Sequence, residues 1–170
     1  MIGYHGTTLQ GWEAIEQSGV LMPTSRLDIF VDRNAARENL QVRPQFSDLV
    51  IPEFAYDPYI FFVDSPQAPE RYYDLIPASA RYEKARNFLR RFIDRRREVA
   101  LQFEVDPKDV SVIDFYELVP GIAGILSPVK AWRNYFPTFR PFSEYEQETY
   151  VMPEFCTAQE IPLERVRRLW

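Results

Sequence analysis

The stretch MIGYHGTTLQGWEAIEQSGV is the part of this chain with the fewest ways to fold. Its opening MIGYHGT is short, apolar and aromatic, the pattern of a strand that ends at Gly6. Thr7 or Thr8 then stands where a helix takes its capping hydroxyl. Leu9, Trp12 and Ile15 recur at helical spacing, and Gly19 supplies a left-handed stop, so a helix is predicted over Leu9 to Ser18. Strand, turn and helix follow without slack. The chain's one histidine, His5, falls at the end of that strand, between an aromatic residue and a Gly-Thr step.

A length of 170 residues is the usual span of one domain, and a single domain over 1–170 is expected. With 46% apolar residues the chain has material for a core and is not a disordered sequence. No run approaches the ~20 apolar residues of a membrane helix, so no membrane partner is expected. The opening residues have no basic region followed by an apolar one, and Cys156 has no second cysteine to pair with. A cytoplasmic protein is the simplest expectation. The net charge of -5 gives no general attraction to nucleic acid or to anionic lipid.

Further along, Tyr59 to Val63 (YIFFV) fits a buried strand, and DSPQAPERYYDL a short helix capped by Asp64 or Ser65. SARYEKARNFLRRFIDRRREVA carries Tyr82, Ala85, Phe88, Leu89 and Phe92 on one helical stripe. VALQFEV alternates as a strand, VSVID and ETYVM read as strands, and IPLERVRRLW as a terminal one. Prolines break up the segment from Thr24 to Pro58, which reads as a long loop with a helical turn at RNAAREN. Residues 116–142 read as loop and short elements. The order of elements predicts an α+β protein.

Three stretches, YHGTT, YIFFVDSPQAPERYY and EYEQETYV, occur in an order and at a spacing that together resemble the ADP-ribosyltransferase superfamily. The resemblance is nearest to its histidine-tyrosine-glutamate branch, which includes the poly(ADP-ribose) polymerases and diphtheria toxin. It implies two small, mostly antiparallel sheets around an NAD cleft with flanking helices, and NAD as the ADP-ribose donor. By the same resemblance His5 holds a hydroxyl of the nicotinamide ribose, Gly6 pairs its backbone with the carboxamide, and Thr7 takes the small-hydroxyl place. Gly6 suits that role physically, because without a Cβ it lets a flat amide approach the main chain. Tyr72 is implied to stack on the nicotinamide, with Phe61 on the strand where the family commonly has tyrosine; Tyr59 and Tyr73 are the fallback positions. Aromatic residues in such runs also serve as ordinary core.

The last motif carries the charge chemistry. Departure of nicotinamide builds positive charge on the ribose, as in glycoside hydrolysis, and a nearby carboxylate stabilises it and can take a proton from the incoming nucleophile. The resemblance implies Glu148, read as the head of a strand, as the catalytic group, and Glu146 as the residue on the acceptor side. The expected activity is transfer of a single ADP-ribose to a macromolecular acceptor, protein or nucleic acid, as in bacterial or phage toxins and effectors, with room for a neutralising partner protein. Two alternatives stay open: an RNA 2'-phosphotransferase-like enzyme, which relies on arginines instead of the late glutamate, and a catalytically silent module that binds NAD, ADP-ribose or a protein.

Other chemistries have less behind them. Cys156 lacks a second histidine to activate it, and one histidine with one cysteine makes no zinc site, so no metal is expected. RNFLRRFIDRRR is either a phosphate-binding helix or a solvated basic face. Arg26, Arg33 and Arg37 are candidate pyrophosphate contacts. There is no glycine-rich phosphate loop.

Overall fold

The computed structural model describes residues 1–23 and 58–170. Arg26, Arg33, Arg37 and the helical turn expected at RNAAREN lie outside the described residues. Strand β1 (Ile2–Thr7) runs straight into helix α1 (Leu9–Ser18), as the N-terminal pattern predicts. The cap is Thr8 and not Thr7: its backbone is extended and its hydroxyl accepts from the Gly11 amide at 3.1 Å. Gly19 ends the helix at φ 74° and donates its amide to the Ile15 carbonyl. Trp12 and Ile15 are buried, whereas Leu9, expected on the same stripe, is exposed.

The remaining strands are β2 (Val20–Leu21), β3 (Ile60–Phe62), β4 (Val99–Glu104), β5 (Ser111–Asp114), β6 (Arg140–Pro141), β7 (Pro153–Thr157), β8 (Ile161–Pro162) and β9 (Val166–Arg168). Antiparallel pairing assembles them into a three-stranded sheet in the order β1-β4-β9, a four-stranded sheet β3-β7-β5-β6 and a small pair β2-β8. The expectation of an α+β protein with small antiparallel sheets holds, with this third pair added. Tyr4 of β1 and Val63, just past β3, exchange both backbone hydrogen bonds at 2.8 and 3.0 Å and join the two larger sheets.

Strand alternation then gives the joined sheets two apolar faces. Phe62, Leu101, Phe103, Val112 and Phe155 pack with Trp12 and Ile15 of α1 on one of them. On the other, Ile113 and Met152 pack with Tyr72 and Ile76, from α2 (Ala68–Leu75) and the residue after it, and with Ala85 and Leu89 of α3 (Glu83–Glu98). Gly3 lies where the first face is tightest. A Cβ there would stand 2.6 Å from Phe62 Cδ2 and 2.8 Å from Phe103 Cε2, two rings already packed edge to face at 5.3 Å. Gly3→Ala is expected to cost ~1–3 kcal/mol through overpacking, seen as a lower Tm. An unchanged Tm would mean that the two rings give way freely.

Two local expectations are corrected. Neither Asp64 nor Ser65 caps α2; the capping position is Gln67, and the Ser65 hydroxyl instead accepts from the Gln67 amide at 3.2 Å in a turn just ahead of the helix. ETYVM is not a strand: residues Gln147–Thr149 form a 3₁₀ turn, and β7 starts only at Pro153. The physical reason is competition for backbone groups. The buried Asp114 carboxylate takes the amides of Val151 and Met152 at 2.9 Å each, and Thr149 closes the turn through its amide and its hydroxyl, both donating to the Glu146 carbonyl. Residues 116–142, read as loop and short elements, contain α4 (Val119–Ile122), α5 (Pro128–Tyr135) and β6.

Candidate functional site

The site begins where the two larger sheets meet. Antiparallel ladders alternate hydrogen-bonded and non-bonded pairs, so the bonds of Tyr4 to Val63 fix which way every backbone group of β1 points. The Val105 amide donates to the Met1 carbonyl at 3.0 Å, and the Leu169 amide to that of Ala100 at 2.8 Å, in keeping with this parity. Gly6, two residues beyond Tyr4 and level with Ala100, therefore turns its N–H and its C=O toward β3. Among the described residues the β1–β3 ladder nevertheless stops at Tyr4–Val63. Gly6, which has no side chain, thus directs a backbone donor and an acceptor toward β3 beyond the last β1–β3 pair among the described residues.

His5 reaches across to β3. Its Nδ1 lies 2.8 Å from the Phe61 carbonyl oxygen. A carbonyl can only accept, so Nδ1 carries the hydrogen in this contact. The structure therefore brings the first two sequence motifs together through His5 and Phe61. Phe61 itself is half-buried on the α2 side of the sheet, its ring 6.5 Å from that of Tyr59. Thr7 pairs with Val99 and turns its hydroxyl onto α1, 2.3 Å from where a Cβ on Gly11 would stand.

Tyr72 is buried on the inner face of α2, and its hydroxyl donates to the carbonyl of Pro153, the first residue of β7. Burial first, then the carboxylates of Asp64 and Glu154, push its phenol far above the ordinary tyrosine range, so it stays a donor. Its neighbour Tyr73 is covered from the other side. The Arg86 guanidinium lies 4.0 Å above the Tyr73 ring and donates to the Ile76 carbonyl at 2.6 Å, while Arg90 donates to the Tyr73 hydroxyl at 2.6 Å. Two arginines of the basic helix are thus engaged with α2 and the residue that ends it.

The late glutamates are placed otherwise than expected. Glu146 and Glu148 are both exposed, on and beside the 3₁₀ turn, outside the sheets. The acidic residue on the strand beside β3 is Glu154, half-buried between Pro153 and Phe155. Phe61 pairs with Cys156 and Phe62 with Phe155, and one further step of that register sets Val63 level with Glu154. Tyr4, Val63, Glu154 and Ile113 then form one row across the sheet, with Glu154 two strands, or roughly 10 Å, from Tyr4. Alternation puts its side chain on the face of Phe61 and Tyr72. The sequence held a signal for this residue: Pro153 suits the first position of a strand, and the aromatic Phe155 follows Glu154 in the same apolar/polar alternation that marks VALQFEV.

No family model, curated protein or solved structure matches the chain.

Proposed function

We propose that the chain is an NAD-dependent ADP-ribosyltransferase that binds its donor where β1 meets β3 and modifies a macromolecular acceptor. The observation that carries this reading is Gly6, whose N–H and C=O point toward β3 just beyond the last β1–β3 pair among the described residues. A primary carboxamide offers the matching acceptor and donor, and glycine lets its plane come close. Beside it, His5, held to the Phe61 carbonyl through Nδ1, is the group this reading sets against a ribose hydroxyl.

Glu154, not Glu148, supplies the carboxylate in this reading, because it stands on the sheet strand next to β3 and on the face of Tyr72. The bond between the anomeric carbon and the nicotinamide nitrogen breaks, and its electron pair leaves with neutral nicotinamide. Positive charge builds on the ribose, where the Glu154 carboxylate stabilises it. A nucleophile of the acceptor then bonds to the anomeric carbon and gives up its proton to Glu154.

The experiment is transfer of label from adenine-labelled NAD to macromolecules of a cell lysate. Label that disappears after protease treatment of the lysate identifies a protein acceptor, and label that disappears after nuclease a nucleic acid. No macromolecular label, with NAD bound intact, would replace this reading by that of a silent binding module.

A further inference from the structure

We infer that the Tyr72 hydroxyl is a positioning group for Glu154, acting through the backbone of Pro153. The inference rests on the role given to Glu154 above. The segment that leads into β7 is fastened by groups from outside that strand. Asp114 takes the amides of Val151 and Met152, the Phe115 amide donates to the Met152 carbonyl at 3.0 Å, and the Tyr72 hydroxyl donates to the Pro153 carbonyl. Proline has no amide hydrogen, so its carbonyl is the one backbone polar group by which residue 153 can be held. Glu154 follows it directly. Tyr72 is only 8% exposed, and the hydroxyl remains a donor because burial holds the phenol protonated.

Stacking on a substrate ring needs the aromatic face of Tyr72 and nothing from its oxygen, so Tyr72→Phe separates the two roles. It keeps the ring and frees the Pro153 carbonyl. A reacting group displaced by about an ångström loses on the order of a hundredfold in rate, and a partial release is expected to lower kcat about tenfold, with KM for NAD within about twofold. In a Glu154→Gln background the same change is expected to alter the residual rate less than about twofold, because its effect passes through the missing carboxylate. Loss of folded protein alone would reduce both backgrounds equally, so multiplying effects overturn the inference, as does a raised KM with kcat unchanged. Amide hydrogen exchange in the protein without NAD gives a readout separate from activity. Exchange at Val151, Met152 and Glu154 several-fold faster in Tyr72→Phe supports the anchoring, and unchanged exchange overturns it, even in a wild-type protein that releases no nicotinamide.

Discussion

Replacing Glu154 by glutamine is expected to lower the initial rate of nicotinamide release from NAD about a thousandfold, while Glu148→Gln stays within about twofold of wild type. Glutamine keeps the shape and hydrogen-bonding capacity of the side chain and removes its charge. What is lost is stabilisation of the positive ribose and the base that receives the acceptor's proton. Glu154 has this weight from where the backbone puts it, on the strand paired with β3 and level with Val63, the residue that joins the sheets. Glu148 is exposed on a turn held by Thr149 and Glu146. The opposite ranking of the two variants would return the catalytic carboxylate to the turn at 147–149.

The second large effect is on stability. Asp114→Ala is expected to lower the unfolding free energy by ~3–5 kcal/mol, because hydrogen bonds to a charged group contribute about 1.5–3 kcal/mol each and their buried donors would be left unpaired. Asp114 is 4% exposed, and its carboxylate accepts from Tyr116 at 3.0 Å and from Val151 and Met152 at 2.9 Å each. One side chain thereby ties the end of β5, the 3₁₀ turn Phe115–Leu118 and the approach to β7. Urea unfolding of the variant against wild type, with m unchanged, measures the difference. A loss below about 1 kcal/mol would show that water or a shifted backbone satisfies those amides without Asp114.

The N-terminal unit was legible because its signals are local. A threonine cap, two apolar residues a turn apart and a glycine stop all act within the segment they delimit, and β1, α1 and Gly19 fall where the pattern predicts them. The same holds for β4, whose alternation needs no knowledge of its partners. ETYVM failed for the reason that makes Asp114 important. Its residues have strand propensity, but their amides are claimed by a carboxylate 37 and 38 positions away, and no window of sequence contains that competitor. With the strand read too early, Glu148 was read as its head, whereas it stands on the 3₁₀ turn. The aromatic run from 116 to 142 was unreadable for a related reason: α4 and α5 are short, and their burial against Phe115 and Met152 is a tertiary fact. The meeting of β1 and β3 at Tyr4 and Val63 was not visible in the sequence either, because the two residues lie 59 positions apart.

The most direct test is nicotinamide release from NAD by the purified wild-type chain, alone and with lysate, beside His5→Ala and Glu154→Gln. Release by the wild type that lysate stimulates, and that both substitutions suppress while each variant keeps the wild-type Tm within a few degrees, is the expected result. An inert wild-type protein whose Tm does not rise with NAD would contradict the central claim, because the site beside Gly6 would then hold neither the donor nor its chemistry.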